Sequence, residues 1–242
     1  MKKYNLITLF SIVLLFTSCA GTSDWRNATK ESAKIAPEPS VEREAIVYVF
    51  AAKTVSWRGI FSVHSWVAFK EKNAPSYTTL HVIGWRVNRG LPAVVVKNDI
   101  PDRYWYGAKP EVVFMIKGTE AELMIPQISR AVASYPYANK YHAWPGPNSN
   151  TFISHILRNV SGMTVELPPN AIGKDYLVSD FFFSRSETKT GGQFSLYGVF
   201  GLTLGLNEGI ELNILGLNFG IDLKNPALKL PLIGRVGMQD SP

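Results

Sequence analysis

From Trp144 to Phe152 the chain reads Trp-Pro-Gly-Pro-Asn-Ser-Asn-Thr-Phe, and few backbones can follow that order. Two prolines fix φ on either side of a glycine, so the chain enters Asn148-Ser149-Asn150 along a stiff path. An apolar set then recurs at Phe152, Ile153, Ile156, Leu157 and Val160. Spacings of three and four put that set on one face of a helix. Asn and Ser suit a helix start because their side-chain oxygens accept from the unpaired first-turn N–H groups. Ser149 therefore stands where a helix begins, among donors that favour negative charge. The pattern reads as a helix start or as an active-site turn.

Strands precede this unit. Ala45–Phe50 is a β-branched and aromatic run. Gly59–Lys70 and Tyr77–Val87 follow as a predicted hairpin, with His64 and Trp66 on one face of the first strand and Thr79, His81, Ile83 and Trp85 on one face of the second. Ala93–Lys97 and Glu111–Lys117 are further strands. Residues 99–110 between them form an aromatic loop. The period then switches: Thr119 and Glu122 read as a capping box opening a helix to about Tyr135, with Pro126 expected to kink it or delay its start. Beyond residue 170 the texture becomes glycine-rich. Phe194–Leu206 and Ile210–Leu223 flank Asn207-Glu208-Gly209 and read as the two arms of a β-hairpin. The tail from Asn225 to Pro242 is broken by prolines and reads as irregular. Strands, then helices, then glycine-rich strands make an α+β pattern, mainly antiparallel sheet packed on two helices with a C-terminal hairpin.

The N-terminus carries an address. Lys2 and Lys3 precede an apolar run from Leu6 to Phe16, which is short for a bilayer span. Phe16-Thr17-Ser18-Cys19-Ala20 resembles a bacterial lipobox, with Phe16 in place of the usual Leu. That resemblance implies removal of residues 1–18 and a lipid on Cys19. The alternative is an ordinary cleaved signal sequence with an incidental cysteine. Ala20 is not the Asp that keeps such lipoproteins in the inner membrane, so the resemblance implies the outer membrane, facing the periplasm. Residues 19–44 are polar, interrupted by Pro37 and Pro39, and read as a mobile tether. Residues 45–242 read as one domain, glycine-rich from about residue 190. Losing Lys2 and Lys3 reduces the formal charge of +6 by two, to +4. A mildly basic surface suits anionic lipid or glycan and lacks the footprint of nucleic-acid binding.

Chemistry-bearing residues are sparse. Four histidines occur, His64, His81, His142 and His155, and none sits in a zinc-protease spacing. No Walker loop, dinucleotide fingerprint or nucleophile elbow is present, and the sequence implies no cofactor and no metal. With Cys19 the only cysteine, its lipidation leaves no thiol nucleophile. What remains is Ser149 with His64 and His81: a hydroxyl, a base to activate it and a group to orient the base. The competing reading is a helix cap and two hydrogen-bonded core histidines. Asp102 and Arg103 in the aromatic loop read as ligand contacts or a surface ion pair. Trp57, Trp66, Trp85, Trp105 and Trp144 read as sugar-stacking faces or as packing.

The words Gly84-Trp-Arg-Val87, Pro101-Asp-Arg-Tyr-Trp105, Trp144–Phe152, Ala171-Ile-Gly-Lys-Asp175, Glu211–Leu217 and Pro226–Pro231 resemble a bacterial family known as domain of unknown function 3750, over roughly Trp57–Gly237. That resemblance implies no activity. A more distant similarity is to permuted papain-like hydrolases and acyltransferases. It implies His64 as base, His81 as orienting residue and Ser149 in place of their cysteine, with Asn148 or Asn150 at the oxyanion. The leading expectation is thus an envelope hydrolase or acyltransferase acting on an amide or ester. Its rival is a non-catalytic envelope protein that binds glycan, lipid or a protein partner through the aromatic loop and the glycine-rich hairpin.

Overall fold

The computed structural model describes residues 25–178 and 182–238. The predicted signal sequence and Cys19 lie outside them. Among the described residues, two antiparallel sheets and two α-helices make an α+β structure.

The first sheet holds β1 (Ile46–Lys53), β2 (Val63–Lys70), β3 (Thr78–Val82), β4 (Val94–Asn98) and β5 (Glu111–Lys117), in the order β4-β3-β2-β1-β5. β1 and β2 are central and buried on both faces. Strand alternation sends Val47, Val49, Val67 and Leu80 toward the helices, and Tyr48, Phe50, Trp66 and Ala68 toward the opposite side. β2 and β3 form the predicted hairpin, shorter than the apolar runs imply. Ser56–Ile60 and Gly84–Arg89 coil into 3-10 turns, and a side chain at Gly84 would overlap the Tyr141 ring.

α1 (Thr119–Ala133) and α2 (Ser149–Asn159) cover one face. The predicted Thr119/Glu122 capping box does not form. Gly118, at φ 76°, occupies the cap position without a side-chain hydrogen bond, and Thr119 is already helical. Pro126 stays inside α1 because Met124, Ile125 and Ile128 seat the helix in the core, and that packing outweighs one lost backbone hydrogen bond.

The far face is covered by the chain's own N-terminal segment. Residues 32–36, predicted to belong to a mobile tether, lie against the sheet. Asp102, 1% exposed, accepts from Ser32 Oγ at 2.8 Å and from the Ile35 and Ala36 amides at 2.6 and 3.1 Å. Ile35 and Ala36 pack on the Tyr48–Trp66 cluster.

In place of the predicted hairpin stands a seven-stranded meander: β6 (Phe183–Arg185), β7 (Gly191–Leu196), β8 (Phe200–Gly205), β9 (Gly209–Ile214), β10 (Leu217–Asp222), β11 (Ala227–Leu230) and β12 (Gly234–Gly237). Each predicted arm contains a turn of its own. Tyr197-Gly198 and Leu215-Gly216 adopt consecutive positive φ values of 51°, 71°, 55° and 83°, the geometry of the tightest hairpins. Tyr and Leu are not turn formers, so the sequence conceals these reversals. The tail predicted as irregular supplies β11 and β12.

The faces of this sheet are inverted relative to an ordinary domain. Gln193, Ser195, Thr203, Glu211, Asn213 and Asn218 are buried, whereas Leu202, Leu204, Ile210, Ile214, Phe219 and Ile221 are exposed. The buried side closes on Lys174-Asp175. Asp175 accepts from Lys174 Nζ at 3.2 Å, Gln193 Nε2 at 2.5 Å, Asn213 Nδ2 at 2.7 Å and Asn218 Nδ2 at 2.9 Å. Lys174 also reaches Glu211 at 2.7 Å, and Lys229 bridges Glu211 and Glu166. Burial alone would raise the Asp175 pKa, but Lys174 and the Asn218 and Asn213 amides hold it below the usual carboxylate range. Glu166 moves the other way, its pKa pushed well above normal by burial and by Glu211.

Candidate functional site

Ser149 does not cap α2. Asn148 does, its Oδ1 accepting from the Asn150 and Thr151 amides at 2.9 and 3.2 Å while Thr151 Oγ1 accepts from the Asn148 amide. Ser149 is the first helical residue, 6% exposed, and its hydroxyl makes no hydrogen bond among the described residues. Both neighbouring amides are fully engaged. Asn148 Nδ2 donates to the Ala143 and Ile172 carbonyls. Asn150 Nδ2 donates to the Val63 and Ile172 carbonyls, and Asn150 Oδ1 accepts from Ser65 Oγ at 2.8 Å. Gly173 makes this packing possible: at φ 98°, a side chain there would overlap the Asn148 amide.

The histidines lie elsewhere. Ser65 points to α2, so its neighbour His64 points to the opposite face of β2. There His64 Nε2 meets His81 Nδ1 at 3.3 Å, with the rings nearly parallel. His64 stacks face to face on Trp105, centroids 3.7 Å apart. Burial and the neighbouring His81 push the His64 pKa well down. Burial takes His81 to about 3, against a smaller upward pull from Asp99. Both are neutral imidazoles at neutral pH. The structure thus brings His64 and His81 together and leaves Ser149 across the sheet from them.

Over His81 opens a cleft of about 250 Å³. Its walls are Trp85 and Trp105, centroids 6.3 Å apart at 27°, with Tyr106 edge-on to both. Lys30, Lys97, Arg103 and Asp99 also line it. Asp99 pairs with Lys97 at 2.6 Å and with Arg103. Burial would raise its pKa, but the Lys97 and Arg103 hydrogen bonds hold it below the usual range. Three cations against one carboxylate leave the rim positive. Trp85 is 44% exposed, so one indole face is open to a ligand.

The family described as "Protein of unknown function (DUF3750)" matches residues 44–176. The chain belongs to the DUF3750 family. No curated protein and no solved structure matches it. The DUF3750 match is shorter than the words read from the sequence implied. It takes in the first sheet, both helices, the cleft strands and Asp175, and it ends before the meander. The blocks at Glu211–Leu217 and Pro226–Pro231 lie outside it.

Within this DUF3750 chain the binding candidates separate. Arg103 and Trp105 line the cleft. Asp102 is a buried anchor for the N-terminal segment, with no free oxygen to offer a ligand. Trp144 does not line the cleft: its Nε1 donates to the Leu215 carbonyl at 2.9 Å, fixing a turn of the meander. Sequence reasoning missed Lys97 and Asp99, which sit at the end of β4 without a motif, and Lys30, which was assigned to the tether. The one available signal was alternation, which places Ile83 and Trp85 in phase with His81.

Proposed function

We propose that this chain is a non-catalytic, lipid-anchored envelope protein that binds an acidic sugar in the Trp85–Trp105 cleft. The observation that carries this reading is the cleft itself: the exposed Trp85 indole face above a neutral imidazole floor, with an excess of positive charge at the rim. Indole faces pack against the C–H face of a pyranose, and a few placed polar groups fix its orientation. Lys30, Lys97 and Arg103 favour a carboxylate on the ring. Calorimetric titration of the full chain with N-acetylmuramic acid and N-acetylglucosamine tests this, because the two share a ring and differ in the carboxylate. The acid is expected to bind more tightly, and Trp85→Ala to weaken it about tenfold. Equal binding of both sugars, or an unaffected Trp85→Ala, would sink the assignment.

The anchor is Cys19, placing the domain at the outer membrane facing the periplasm, as the lipobox resemblance implies. Metabolic labelling with an alkyne fatty acid is expected to mark the wild type and not Cys19→Ser. Label that persists in the variant rejects lipidation at that residue.

The hydrolase reading, with Ser149 as nucleophile, His64 as base and His81 orienting it, has less support, and so does the papain-like likeness from which it came. That chemistry needs base and hydroxyl within hydrogen-bond reach, whereas here the imidazoles face away from α2. The Asn148 and Asn150 amides are already spent on backbone carbonyls, so neither is available to an oxyanion.

A further inference from the structure

The inverted sheet demands a partner. A soluble domain rarely exposes an apolar patch beyond a few hundred Å². Here the outward side of β7–β11 is apolar strand after strand, with Leu202, Leu204, Ile210, Ile214, Phe219 and Ile221 among its members. The turns at one end add Tyr197, Leu215, Leu232 and Ile233, each about half exposed or more.

Charge identifies the occupant. Within residues 182–238 every carboxylate side chain is buried: Glu187, Glu208, Glu211 and Asp222 are 4%, 2%, 1% and 1% exposed. The exposed charges there are basic, Arg185 on the edge strand β6 and Lys224 in the β10–β11 turn. We infer that the outward face of the meander docks on an anionic lipid surface, with Leu202, Leu204, Ile210 and Phe219 entering the acyl boundary and Arg185 and Lys224 meeting the headgroups. Basic residues near an anionic bilayer each add attraction. The same rim would face its own kind in a pair of stacked copies and repel.

Geometry limits how deep the sheet goes. β7 to β10 have six residues each, short of the roughly nine to eleven that a spanning strand needs. The strand order is open, with β6 and β12 at the edges, and an unpaired edge is not tolerated within hydrocarbon. The sheet therefore lies on one leaflet. This inference does not depend on the cleft or its ligand.

The test uses the full chain with Cys19→Ser, so that one introduced cysteine carries an environment-sensitive fluorophore. Leu204→Cys reports on the sheet face. Glu120→Cys, exposed on α1, reports on a helix outside the meander. Vesicles of phosphatidylethanolamine and phosphatidylglycerol with brominated acyl chains are expected to shift the emission at 204 to the blue and quench it, leaving 120 unchanged. The paired variant Leu202→Glu, Phe219→Glu alters only outward side chains and is expected to weaken the response at 204 about tenfold or more. Emission at 204 that is already blue-shifted without lipid would assign the face to protein, either a second copy or the chain's own leader. That result, or an unquenched probe, or equal partition onto neutral phosphatidylcholine, overturns the proposal.

Discussion

Acidification from pH 7 to pH 5 is expected to cost the fold about 2 kcal/mol through His81, with His64 adding to the loss in the same direction. In the folded chain burial pushes both imidazole pKa values down, His81 to about 3 and His64 well below its usual value. Unfolded, each titrates near 6.5. Between those limits the unfolded chain binds protons that the folded chain refuses. Stability is therefore complete above about pH 6.5 and falls as the pH drops, by up to about 1.4 kcal/mol per pH unit for each histidine. Against a typical total of about 5–15 kcal/mol the loss is large. The raised pKa values of Glu166 and Glu187 bend the curve the other way, since the folded chain holds those protons longer. The readout is accordingly the difference between wild type and a His64→Phe, His81→Phe variant, which keeps flat rings against Trp105. Urea midpoints taken from pH 7 to pH 5 should fall more steeply in the wild type. Parallel curves would mean that the imidazoles take up protons in the fold as readily as in the unfolded chain.

Asp175→Leu is expected to lower stability by about 3–5 kcal/mol. The substitution leaves the Gln193 and Asn213 amides without their acceptor, Asn218 Nδ2 with the Pro169 carbonyl alone and Lys174 with Glu211 as its remaining partner. Buried donors stripped of a partner carry the full desolvation penalty. Asp99→Asn supplies the contrast: its partners Lys97 and Arg103 are half and one-third exposed, and loss of such a pair is expected to cost about 1 kcal/mol or less. Denaturant unfolding of both variants decides the matter. A change below about 1 kcal/mol for Asp175→Leu would show that other contacts hold the meander against the first sheet.

The first sheet was readable because its chemistry is repetitive. Ile46-Val-Tyr-Val-Phe50 and Glu111–Lys117 are β-branched runs that leave little choice, and alternation alone grouped His64 with Trp66 on one strand and His81 with Ile83 and Trp85 on the next. The α2 start was readable too, although the cap fell to Asn148 rather than Ser149. Local rules ranked both residue types as good caps, and only the carbonyls of Ala143 and Ile172 chose between them. Alternation also held the clue against the serine site, since Ser65 rather than His64 shares a side with the helices. The meander was hidden for a different reason. Its turns at Tyr197-Gly198 and Leu215-Gly216 borrow residues that look like strand, and its apolar residues point outward, so burial could not be inferred from hydrophobicity. The N-terminal segment was misjudged because its partner, Asp102, is far away in sequence.

The Asp175 knot also sets an order of events. A chain leaving the ribosome completes residues 44–176 before any strand of the meander exists, and N-terminal units generally fold first. At that moment Lys174 and Asp175 stand at the rim of a nascent domain, still solvated. Each meander strand then pairs only with its neighbour in sequence, and such local pairings form quickly. The carboxylate is thus in place as a docking post before Gln193, Asn213 and Asn218 are synthesised, and the last two arrive on adjacent strands of a single hairpin.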